Sequence, residues 1–78
     1  RRMSFKDRHA LETLPARIAA LQDQIAKVQV LLADPDLYAR DAARFAKATE
    51  ALTSAQQALA AAEEQWLELE MLREELEG

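Results

Sequence analysis

The residues able to do chemistry are few and scattered. His9 is the only histidine, and there is no cysteine, so neither a thiolate metal site nor a disulfide framework is available. His9 also falls on the solvent side of the heptad pattern described below, with no ligand or base beside it. Glu63, Glu64, Glu68, Glu70, Glu74, Glu75 and Glu77 offer carboxylate pairs. Carboxylate metal sites in helical proteins draw partners of the Glu-x-x-His kind from further helices, and this chain has none. The one glycine is Gly78, so no glycine-rich loop can cradle phosphate, and no serine–histidine–aspartate set can assemble in a pocket. The sequence therefore predicts no catalytic, cofactor-binding or metal-binding residue in this chain.

What remains is charge. The net charge is −4, which argues against a strongly nucleic-acid-binding module, but its distribution is uneven. The start carries Arg1, Arg2, Lys6, Arg8 and Arg17 against Asp7 and Glu12. A second basic group comprises Lys27, Arg40, Arg44 and Lys47. Arg40 and Arg44 are four apart and Lys47 lies three further on, so on a helix they form a short ridge suited to phosphate contacts. Asp34, Asp36, Asp41 and Glu50 dilute it. Residues 63–77 carry seven glutamates against Arg73. These nine basic residues are the candidate nucleic-acid contacts. The alternative reading is solubility charge, with the basic start attracted to the acidic end when a hairpin closes.

The elements that position these charges are helices. Leu11, Leu14, Ile18, Leu21, Ile25, Val28 and Leu32 are spaced 3, 4, 3, 4, 3, 4, an unbroken seam of the coiled-coil type. Ser4 is a good start signal, with Asp7 at the third position after it. Pro15 lacks an N–H and crowds the preceding turn, which predicts a distortion near residues 13–16, a tightened turn or a helix restart. Asp34-Pro35 ends the first helix at about residue 33. The connection covers about 34–41, with a short turn at 35–39 and Leu37 and Tyr38 as its apolar plug. Asp41 caps a last helix over about 42–77, roughly 50 Å long.

That helix has two seam lines of its own. Phe45, Leu52, Leu59, Trp66 and Arg73 form one; Ala48, Ala55, Ala62, Leu69 and Leu76 form the other. A short connection between long helices implies antiparallel packing. Opposing residues then sum to about 77, the register set by the two seams, which pairs Leu32 with Phe45, Ile25 with Leu52, Ile18 with Leu59 and Leu11 with Trp66. Trp66 is thereby expected in the core, and Phe5 and Met3 are expected to cover Leu69, Leu72 and Leu76. The fold class is all-α: an intramolecular antiparallel two-helix coiled-coil hairpin with a proline distortion near Pro15. A monomer is favoured over a four-helix dimer sharing Val30, Leu31 and Leu72. No apolar run approaches the roughly 20 residues of a membrane span. Arg1-Arg2 is not followed by an apolar signal segment, and without a starting Met the chain reads as a fragment of a larger protein.

The runs Ser4-Phe5-Lys6-Asp7, Leu11-Glu12-Thr13-Leu14-Pro15-Ala16-Arg17-Ile18, Leu32-Ala33-Asp34-Pro35-Asp36-Leu37-Tyr38 and Glu64-Gln65-Trp66-Leu67-Glu68-Leu69-Glu70 resemble, in order and spacing, the C-terminal domain of Uup-type ABC-F ATPases. The resemblance covers nearly the whole chain. It implies a single domain, residues 1–78, at the C-terminal end of a cytoplasmic protein with two ATP-binding cassettes. ATP and Mg would be used by those cassettes and not by this fragment. The implied function is a non-catalytic accessory domain that binds DNA, with the ribosome and its RNA as a further partner and the parent's cassettes as neighbours. The family's tightened turn near its proline would fall at Leu14-Pro15. The alternatives are a structural or regulatory strut docking on the cassettes or another protein, and a tRNA-contacting hairpin of the valyl-tRNA synthetase type.

Overall fold

Alanine, leucine, glutamate and glutamine dominate the chain, and the backbone follows their preference for helix. The computed structural model describes residues 2–77; Arg1 lies outside them. It is all-α, with no strand among the described residues. Helix α1 spans Phe5–Leu32, α2 spans Leu37–Arg40 and α3 spans Ala42–Glu77. Helix α3 has 36 residues, about 54 Å at 1.5 Å per residue, while the whole chain measures 57 × 15 × 14 Å. Helix α1 must therefore lie alongside α3, and these two helices make the main packing contact.

Each boundary has a local cause. Ser4 is extended (φ −70°, ψ 162°), and its Oγ accepts the Asp7 N–H at 3.0 Å, satisfying one of the orphan donors of the first turn of α1. At the other end, Ala33 N–H bonds back to the Gln29 carbonyl at 3.0 Å, and Asp34 N–H to the Leu31 carbonyl at 3.3 Å. Asp41 Oδ1 accepts the Arg44 N–H at 3.0 Å and so caps α3.

Pro15 sits inside α1, which is α-helical throughout Phe5–Leu32. The expected break or separate tightened turn does not appear. Proline removes one intrahelical donor, but Leu11, Leu14 and Ile18, which flank it, pack into one cluster with residues of α3, and that packing holds the helix together across the gap.

The core is a single line per helix. Leu14 and Leu21 of α1 are buried, as are Ala48, Ala55, Ala62 and Leu69 of α3. Leu14, Leu21, Ala62 and Leu69 form one cluster, with Met3, Ala10, Leu11, Ile18, Ala58 and Leu59 packed at its edges. Alanines on the α3 line allow close approach of the helix axes. The second seam line, with Ile18, Ile25, Phe45, Leu52 and Leu59, is only half-buried, because no third element covers its outer side.

Three aromatic placements differ from expectation for this reason. Trp66 retains 36% exposure and lines a surface hollow with Pro15 and Ile18, outside the buried core cluster. Phe5 is 78% exposed and stacks on His9 at 6.2 Å, one turn along α1; Met3 alone of the expected pair joins the core cluster. Tyr38 is also exposed. Its ring meets Phe45 edge-on at 5.4 Å, and the plug of the connection is Leu37 alone, with no exposed surface.

Candidate nucleic-acid interface

The candidate residues fall into two groups, one at the start of the chain and one around the connection between the long helices. At the connection, Asp34 acts as an organiser. Its Oδ1 accepts the Asp36 N–H at 2.9 Å, and its Oδ2 accepts a hydrogen bond from the Arg40 guanidinium at 2.9 Å. This draws Arg40, the last residue of α2, back over the turn. Both bonds stabilise the carboxylate, and Arg40 followed by the Asp36 N–H holds Asp34 below its ordinary value. Arg44 and Lys47 follow on the first turns of α3, three residues apart and exposed. Neither makes an ion pair among the described residues, so their charge is available to a ligand.

Lys27 is committed elsewhere. It pairs with Asp23, four residues earlier, at 2.9 Å, and this hydrogen bond and charge push the Lys27 ammonium above its ordinary value. Both side chains are well exposed, so the pair contributes little to stability.

Arg2, Lys6, Arg8 and Arg17 are all exposed. Arg2 and Arg8 are brought together with Met3, Arg73, Leu76 and Glu77 around a hollow of about 400 Å³. The start of the chain and the end of α3 are thus neighbours, and the basic start faces acidic as well as basic groups. Arg73 is not among the nine candidate cations of the sequence. It occupies the seam line of Phe45, Leu52, Leu59 and Trp66, and a charged residue on an apolar line was the available signal. Its guanidinium is bonded to Glu70. His9 remains exposed, and no group of three or more metal-ligating side chains occurs among the described residues. Among the described residues, no helix is long and apolar enough to cross a membrane.

The Asp34–Arg40 contact gives a pH prediction. A carboxylate held below its ordinary value stabilises the folded state above the ordinary aspartate range, about 3.9, and that contribution is lost as the pH falls through the lowered value. Carboxyl resonances followed by NMR should show Asp34 titrating below the ordinary range. In Arg40→Gln the midpoint should move back towards it. An unmoved midpoint would remove Arg40 as the cause.

No curated protein and no solved structure gives a significant match to this chain. The profile of the ABC transporter C-terminal domain family matches residues 2–71, which includes α1, the connection and most of α3. Such domains are accessory, non-catalytic modules. The chain belongs to the ABC transporter C-terminal domain family, the domain characteristic of ABC-F ATPases such as Uup.

Proposed function

We propose that this chain is a nucleic-acid-binding accessory domain at the C-terminal end of a cytoplasmic ABC-F ATPase. The observation that carries the reading is the family match over residues 2–71. ATP and Mg are handled by the parent's cassettes. The two long helices form an antiparallel coiled-coil hairpin, α2 lies at its tip, and Pro15 is a point of local strain in α1. The hairpin presents Arg40, Arg44 and Lys47 at the tip as the leading contacts to DNA or ribosomal RNA. Arg1, Arg2, Lys6, Arg8, Arg17 and Lys27 supply secondary charge.

The chemistry of the tip supports this assignment. Arg44 and Lys47 are cations without protein partners among the described residues, on a helix whose start is fixed by the Asp41 cap. Such groups bind phosphate oxygens and release condensed counterions, whatever the base sequence.

A salt titration tests the reading. Duplex DNA and a ribosomal RNA fragment should each bind at low salt, with log K falling linearly with log salt. The double variant Arg44→Glu/Lys47→Glu should weaken binding at least about tenfold and reduce the slope by about two, one per lost phosphate contact. An unchanged slope would exclude the tip. The ratio of DNA to RNA affinity at equal salt decides between the two partners.

A further inference from the structure

The second half of α3 carries a surface with different chemistry. Trp66, Leu67 and Met71 are exposed apolar side chains. Trp66 and Leu67 line a hollow of about 490 Å³ with Pro15 and Ile18 of α1 and with Glu63. The same two residues continue into a second hollow with Glu70, Met71, Arg73, Glu74 and Glu77. Positions 63, 66, 67, 70, 74 and 77 recur at helical spacing, so they share one side of α3. The result is an apolar strip edged by carboxylates. Glu63, Glu74 and Glu77 have no ion-pair partner among the described residues.

One wall of this groove has an unusual acceptor. Residue 15 would ordinarily donate its N–H to the Leu11 carbonyl, and proline has none to give. The Leu11 carbonyl therefore lacks its helical donor, next to the Pro15 ring that lines the hollow. An apolar floor, an anionic edge and a spare backbone acceptor are complementary to a ligand with apolar anchors and many cationic donors. Nucleic acid is a poor occupant, because its phosphates would face the glutamates. A second copy seated through the same face would set glutamates against glutamates.

We propose that the groove formed by Pro15, Ile18, Trp66, Leu67 and Met71 docks a basic amphipathic helix of a protein partner. Its leucine-type side chains lie on the apolar strip, and its lysines and arginines meet Glu63, Glu74 and Glu77. This is helix-in-groove recognition, read by anchors at i, i+3, i+4 and i+7. It uses a different part of α3 from Arg44 and Lys47, two of the leading contacts assigned to nucleic acid.

Trp66 is the only tryptophan and reports on the groove directly. The probe is a peptide of about 14 residues, or four helical turns, made of leucine and lysine with the leucines on one face. A second peptide of identical composition spreads its leucines around the helix. At about 0.15 M salt, where exposed charges are screened, the amphipathic peptide should saturate and shift Trp66 emission to the blue. The spread peptide should bind at least about tenfold more weakly, and Leu67→Glu or Met71→Glu should cost the amphipathic peptide a similar factor, the size expected for a buried anchor. Both positions are exposed, and circular dichroism confirms that each variant retains its helix. Equal binding of the two peptides would reduce the effect to bulk charge and overturn the proposal. Full binding by both variants, or no change in Trp66 emission, would overturn it as well.

Discussion

Leu21→Ala should lower the thermal midpoint of the domain by at least about 8 °C, at about 4–8 °C per kcal/mol for a domain of this size. Leu21 is 8% exposed and shares its cluster with Leu14, Ala62 and Leu69. Removing a buried leucine side chain costs about 2–5 kcal/mol, through lost transfer energy and the cavity left behind. A chain of 78 residues has a total stability of about 4–12 kcal/mol at the usual increment per residue. The loss is therefore a large share of the whole, and no second layer stands behind Leu21 to collapse into the gap. Leu67→Ala is the matched control. Leu67 is 54% exposed, and its truncation should change stability by no more than about 0.5 kcal/mol. Thermal unfolding followed at the helical circular dichroism band reads both. A Leu21→Ala midpoint within about 4 °C of the parent, less than 1 kcal/mol, would show that the core line does not run through Leu21.

Pro15→Ala should act in the opposite direction. Alanine is about 3 kcal/mol more favourable than proline in a helix interior, and the substitution restores an N–H for the Leu11 carbonyl. Proline also restricts the unfolded chain, which returns up to about 1 kcal/mol to the parent. The expected net gain is about 1–3 kcal/mol, seen as a higher midpoint in the same melt. Pro15 is exposed, so no core packing is sacrificed. A neutral or destabilising result would mean that α1 accommodates Pro15 without strain. The same variant supplies an N–H to the Leu11 carbonyl, so its effect on peptide binding separates that acceptor from the apolar floor of the groove.

Much of this arrangement was legible in the sequence because it is periodic. The seven-residue spacing picked out Leu14 and Leu21, and the alanine line with Leu69, all of which are buried. Ser4 and Asp41 were legible as caps because a short polar side chain before a helix has one local use. What escaped is what a period does not encode. Two seam lines per helix look equivalent in sequence, yet a pair of helices encloses only one of them fully. Trp66 stands on the half-covered line and is left at the edge. Phe5 and Tyr38 are apolar enough for a core, but each is spent on a neighbouring ring at the surface.

The candidate site divides in the same way. The cations themselves are visible in the sequence, but their commitments are not. Asp34 reaches Arg40 across six residues of turn and short helix, a separation with no periodic signature, whereas Lys27 and Asp23 follow the ordinary four-residue rule. Arg73 became relevant only when the end of α3 came beside Arg2 and Arg8. The acidic strip at Trp66 is composed of residues that read as solvated surface until α1 supplies Pro15 and Ile18 as its other wall.

Ala48, Ala55 and Ala62 repeat at intervals of seven and are buried to nearly the same extent. Sliding α3 by one heptad, about 10.5 Å at 1.5 Å per residue, exchanges like for like along most of the line Ala48, Ala55, Ala62, Leu69 and Leu76. The line is therefore nearly degenerate under translation, like a rack whose teeth are all alike. Alignment has to be fixed elsewhere, and Leu37 is the element able to do it. It is fully enclosed in the short connection, where any displacement of α3 would uncover it. One leucine in the turn acts as the pawl of the rack, setting where the long helices stop.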